Sequence, residues 1–120
     1  MARLRHKGPG VTRLVRDDDL VPMPIMPWGT VHNLTPTEAM AARNATAISA
    51  DCGVVSIIAI GGAAHFKQGT ASVVATLNDA YLPEGEWHEL PVFEGDQWSY
   101  VSIISTTGAG TIAAQIVERQ

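Results

Sequence analysis

Apolar and polar positions along the chain follow two regimes that change near residue 46. From Met1 to about Gly29 no period of 2 or 3.6 is sustained. Val21-Pro22-Met23-Pro24-Ile25-Met26-Pro27-Trp28 alternates proline with large apolar residues. Proline fixes φ and pushes the residue before it toward β or polyproline II, so this stretch reads as extended chain. Met23, Ile25, Met26 and Trp28 cannot bury themselves on such a segment; they need a groove on the protein's own body or on a partner. Thr35-Pro36-Thr37-Glu38 has the pattern of a helix start, with Thr35 as N-cap, Pro36 at the first helical position and Glu38 closing a capping box. A short helix is therefore expected near 36–43, stopped by Asn44 and Thr46. Residues 1–45 form, on this reading, an extended basic and proline-rich arm.

Beyond residue 46 the pattern becomes short β-rich runs separated by glycine, proline and aspartate, at the spacing of a sandwich or barrel. Strands are expected near 46–50, 54–60, 63–67, 71–77, 86–93, 97–105 and 111–118. Val54 to Ile60 is apolar almost throughout and rich in β-branched residues, as in a strand covered on both sides. In the last two runs, Trp98, Tyr100, Ser102 and Ile104 alternate with Ser99, Val101 and Ile103, and Ile112, Ala114 and Ile116 share one face. A hairpin through Thr106-Thr107-Gly108-Ala109-Gly110 is the expected closure. The fold class is all-β: a small β-sandwich over 46–120.

Composition sharpens this picture. The 120 residues suit one domain; 46% are hydrophobic and only 17% charged, so part of the surface is expected to be covered by a partner. The net charge of −4 hides an asymmetry. Arg3, Arg5, Lys7, Arg13 and Arg16 precede every acid, whereas residues 17–120 carry 3 basic against 12 acidic side chains, a balance of 3 − 12 = −9. Opposite charge on arm and body favours an arm crossing an acidic neighbour. No apolar run is long enough to span a membrane, and Gly8, Pro9 and Gly10 stand where a secretory signal would need its apolar region.

Chemistry is sparse. No serine sits in a Gly-x-Ser-x-Gly elbow, and the single Cys52 reads as a buried structural thiol. His6, His32, His65 and His88 have no metal-ligand spacing, so neither a metal nor a cofactor is expected, nor an enzymatic role. Asp17-Asp18-Asp19 lacks the spaced oxygens of a calcium loop and reads as a solvated turn. Five arm cations would suit nucleic acid, but no aromatic residue is interleaved with them and the body is acidic; nucleic acid is not the expected partner. Contact residues are instead expected in the arm, at Arg3, Arg5, Lys7, Arg13, Arg16 and Pro22-Met23-Pro24-Ile25-Met26-Pro27-Trp28, with Trp87 and His88 as a further contact surface.

Asp79-Ala80-Tyr81-Leu82-Pro83-Glu84-Gly85, Val92-Phe93-Glu94-Gly95-Asp96 and Gly108-Ala109-Gly110-Thr111-Ile112 are turns placed before hydrophobic strands. With them, residues 46–120 resemble the small β-sandwich decoration or cement proteins of tailed-bacteriophage virions. The resemblance implies an open jelly roll of about seven to eight strands. It also implies docking as a homodimer or homotrimer on the outer surface of an icosahedral capsid, with the major capsid protein as partner. A phage neck, tail or host-attachment protein, binding glycan through Trp87, is the alternative.

Overall fold

The computed structural model describes residues 27–119, together with the backbone of β1 (Val15–Arg16) and β2 (Pro22–Met23), which pair antiparallel. The three aspartates 17–19 lie between these two strands and outside the described residues. The body follows as β3 (Trp28–Leu34), β4 (Ala42–Arg43), β5 (Val54–Ile60), β6 (Ala64–Gly69), β7 (Ala80–Leu82), β8 (His88–Pro91), a 3-10 turn at Asp96–Trp98, β9 (Tyr100–Ser105) and β10 (Ala113–Arg119). Two four-stranded antiparallel sheets result, in the orders β3-β10-β5-β8 and β4-β9-β6-β7.

The pairings nest: β3 with β10, β4 with β9, β5 with β8 and β6 with β7. An antiparallel ribbon of nested pairs, wound so that successive strands alternate between two sheets, is a jelly roll. The all-β sandwich expected from the pattern is therefore present. Its core lies where the inner faces meet: Val55, Ile57 and Ala59 of β5, Ala114 and Ile116 of β10, and Val101 and Ile103 of β9 are all buried. Ile57 stands directly opposite Ile116 in the ladder. Burying each such isoleucine contributes roughly 1.5–3 kcal/mol.

Local signals mislead in four places. The boundary drawn at residue 45 falls too late, because β3 and β4 complete the two sheets; the body starts at Trp28. No helix forms near 36–43. Pro36 is buried, its carbonyl accepts from the Ile112 N–H at 3.1 Å and that of Thr37 from the Ser105 N–H at 3.3 Å. Such long-range bonds outweigh a one-turn helix that is marginal by itself. The expected closing hairpin is likewise absent: β9 and β10 belong to different sheets, and 106–112 crosses between them. That crossing is close, since a Cβ on Gly62 would stand 2.8 Å from the Ala109 Cβ.

Finally, 46–50 and 71–77 are loops, while 80–82, inside an expected turn, is a strand. The 71–77 loop crosses the outer face of the second sheet, where the Ala75 N–H donates to Ser102 Oγ at 2.9 Å. Only Ala75 of the loop is buried, while Val74 and Leu77 stay exposed, so a run of apolar residues here did not mark a strand.

Glu38 has a different role from the helix cap expected of it. Its two carboxylate oxygens accept from the Gly108 and Gly110 N–H groups at 2.9 and 2.8 Å. Both glycines have positive φ, 90° and 71°. The Gly108 bond, then the Gly110 bond, hold the carboxyl below its ordinary pKa. A depressed native value means that the contact is present above the ordinary glutamate value of about 4.3 and lost as pH falls through the lower native one. Hydrogen exchange should show Gly108 and Gly110 protected at neutral pH, unprotected once Glu38 is protonated, and unprotected at every pH in Glu38→Ala.

Candidate functional site

The outer faces of the two sheets differ. That of β4-β9-β6-β7 is crossed by the protein's own 71–77 loop and carries exposed Val74, Leu77 and Tyr81, whereas that of β3-β10-β5-β8 presents exposed Trp28, Val31, Ile60 and Trp87, with the two tryptophans in contact. Beneath them Ser56, Ile58 and Val117 are buried although they point away from the core. Strand alternation explains the set: with Val55, Ile57 and Ala59 turned inward, Ser56, Ile58 and Ile60 must turn outward.

One interaction row runs over all four strands. Trp28 at the start of β3 pairs with Arg119 at the end of β10, next to a register shift after Val117. The Arg119 guanidinium lies 3.7 Å from the centre of the Trp28 ring. Its Nη1 donates to Ser56 Oγ on β5 at 3.1 Å and lies 3.7 Å from Glu89 Oε2 on β8. Its Nε donates to the Pro27 carbonyl at 3.3 Å. The Arg119 side chain is only 13% exposed, so its contact with Trp28 belongs to the stronger, desolvated end of cation–π pairs, about 2 kcal/mol. From the opposite edge of the sheet Trp87 reaches the Trp28 ring, with centroids 5.1 Å apart and planes inclined by 59°. An aromatic pair thus spans the sheet, held from beneath by a fixed cation. Such a surface can bind by stacking, apolar contact and indole N–H donation.

A concavity of about 400 Å³ opens at one end of the sandwich between the 47–52 loop and 92–96. Phe93, 58% exposed, stacks edge-on against Trp98, and Glu94 and Asp96 make the rim acidic. Cys52 in its wall is a buried free thiol. Burial pushes the thiol pKa up, against the smaller opposing effect of its bonds to the Val54 and Arg119 carbonyls.

Of the residues expected to make contacts, Trp28 and Trp87 are brought together. His88 stands opposite Ile57, on the inner side of the sheet, and so takes no part in the surface with Trp87. Arg3, Arg5, Lys7 and Arg13, with Pro24, Ile25 and Met26, lie outside the described residues; of Arg16, Pro22 and Met23 only the backbone is described. Pro27 is exposed and anchored through its carbonyl. Arg119 escaped the sequence reading because nothing near the chain end marks it; a lone cation at the end of a β-run acquires meaning only from the strands beside it. Among the described residues no three histidine, cysteine or acidic side chains gather as metal ligands. No family model, curated protein or solved structure matches the chain.

Proposed function

We propose that the chain is a virion structural protein, a capsid decoration protein that binds major capsid protein subunits on the outer surface of an icosahedral phage shell as a homo-oligomer. The observation that carries this reading is the aromatic outer face of β3-β10-β5-β8. Exposed Trp28, Val31, Ile60 and Trp87 gathered on one sheet face, two of them a contacting aromatic pair, suit a partner surface. The basic arm that leads into the edge of that face supplies a second, electrostatic contact. The role is mechanical rather than enzymatic.

Co-sedimentation with empty phage-like shells at two salt concentrations tests the proposal. Saturable binding at fixed stoichiometry is expected, weaker at the higher salt. Full-length protein in which Arg3, Arg5, Lys7, Arg13 and Arg16 are all alanine should bind more weakly and lose that salt dependence. Truncation is the poorer design, since removing 1–29 also takes Trp28 out of β3. Absence of wild-type binding at either salt would discard the shell reading. The neck, tail or host-attachment reading draws on the Trp28–Trp87 pair as a glycan surface; attachment unchanged in Trp87→Ala would remove it.

A further inference from the structure

The two sheets of the sandwich end in four edge strands, β3 and β8 on one sheet and β4 and β7 on the other. An edge strand turns every second N–H and C=O outward, where another chain can pair with them, and proteins blunt such edges with short strands, charges and prolines. Three of the four edges are blunted. β4 has two residues and ends in Arg43; β7 has three and is followed by Pro83; β8 has four, with Glu89 inside it and Pro91 at its end.

β3 differs. Its seven residues contain no proline, and the one titratable side chain among them, His32, is turned inward to Glu118. Every residue of the strand except His32 and Leu34 is exposed. The register shift against β10 lies at the Trp28 end, and from Val31 to Leu34 the ladder is regular. The described strands that precede it, β1 and β2, pair with each other and join neither sheet.

This edge suits a second copy of itself. In an antiparallel pair, residues that turn their backbone groups outward must meet residues of the same kind, and each side chain must stay on its own face of the sheet. Two identical strands meet both conditions when the two-fold axis passes through a residue. Val31 is the middle residue of β3, so an axis there gives the longest ladder. Its side chain lies on the outer face, opposite Val117, and is 45% exposed. Across the axis it would be covered by its own counterpart, with Cβ atoms about 4.5–5.5 Å apart. No acidic or basic side chain of β3 opposes its like, because the strand carries none besides the inward His32. The contact is also closed: each copy uses up its one open edge, and the blunted edges do not carry the pairing on into a filament.

We propose that two copies of this chain join through β3, antiparallel about Val31, so that the β3-β10-β5-β8 sheets of both run on as one continuous sheet. The contact deepens the homo-oligomer of the proposed function, and it rests on that reading only for its place on a shell.

Sedimentation velocity of the full chain over a range of concentrations should show a dimer. Val31→Lys, which sets two ammonium groups against each other at the axis, should raise the dissociation constant at least about tenfold. Val31→Thr retains a β-branched strand former without charge and should stay within about threefold of wild type; matching far-UV circular dichroism shows that both variants are folded. A short bismaleimide should link Val31→Cys into covalent dimers but not Met40→Cys, which is exposed away from this edge. Wild type, whose single cysteine is buried, is the blank. A monomeric wild type would overturn the proposal. So would a dimer that Val31→Lys leaves intact, or one that is linked as well through Met40→Cys as through Val31→Cys. Shell binding is read separately. A chain that dimerises through Val31 yet does not co-sediment with shells upholds the edge contact and discards the shell role, and a monomeric wild type that binds shells does the reverse.

Discussion

Asn44→Ala is expected to lower the unfolding free energy by about 3–5 kcal/mol, a large share of the stability of a small domain. Asn44 is completely buried just after β4. Its Nδ2 donates to the carbonyls of Thr46 at 2.7 Å and Ser99 at 3.1 Å, and its Oδ1 accepts from the Val101 N–H at 2.9 Å. One side chain thus joins the segment leaving the second sheet to the segment entering β9. Alanine would strand three backbone groups away from water, each at a cost of about 1–3 kcal/mol before relaxation. Asn44→Asp restores only the acceptor and sets a carboxylate against two carbonyls, so it should be no better than alanine. Urea unfolding with unchanged m-value is the measurement. A loss below about 1 kcal/mol would mean that water replaces the amide.

Glu118→Ala should cost about 3 kcal/mol, because it leaves two hydrogen-bond partners of a buried carboxyl group unpaired. Glu118 is 3% exposed at the end of β10, with Oε2 2.8 Å from His32 Nε2 and Oε1 accepting from the Ser49 N–H at 3.3 Å. The carboxylate fastens β3 and the 47–52 loop to the same strand, so its loss should also loosen the wall of the end groove. Glu118→Gln retains shape and part of the hydrogen bonding, and should cost about 1 kcal/mol. The order wild type, glutamine, alanine in urea midpoint is expected. Equal losses in both variants would assign the effect to charge rather than to hydrogen bonding.

These two buried polar residues frame a division of labour within the jelly roll. Asn44, Glu118 and the Ala75–Ser102 bond fasten the protein's own loops to its strands. The outer face of β3-β10-β5-β8 keeps its aromatic pair exposed, with Arg119 fixed beneath Trp28. Rigid placement of exposed aromatic side chains lowers the entropy lost when a partner docks.

By itself the sequence determined the class of fold and the faces of several strands. Val54 to Ile60 reads as a strand covered on both sides, and it is the strand whose inner Ile57 and outer Ile58 are both buried. Alternation placed Ile112, Ala114 and Ile116 together, and all three face the core. These are local properties, set by a two-residue period and β-branched side chains. Which strand lies beside which was decided only by the tertiary structure. Alternation says which way a side chain points but not what stands next to it; β9 and β10 therefore looked like a hairpin, yet occupy different sheets. Trp28 and Trp87 were visible as contact residues, but their meeting across the sheet, and the Arg119 that supports it, arise from registers between strands far apart in sequence. The helix signal at Thr35 to Glu38 failed for the same reason: a local preference worth about 1 kcal/mol gave way to long-range bonds from Ser105, Gly108, Gly110 and Ile112.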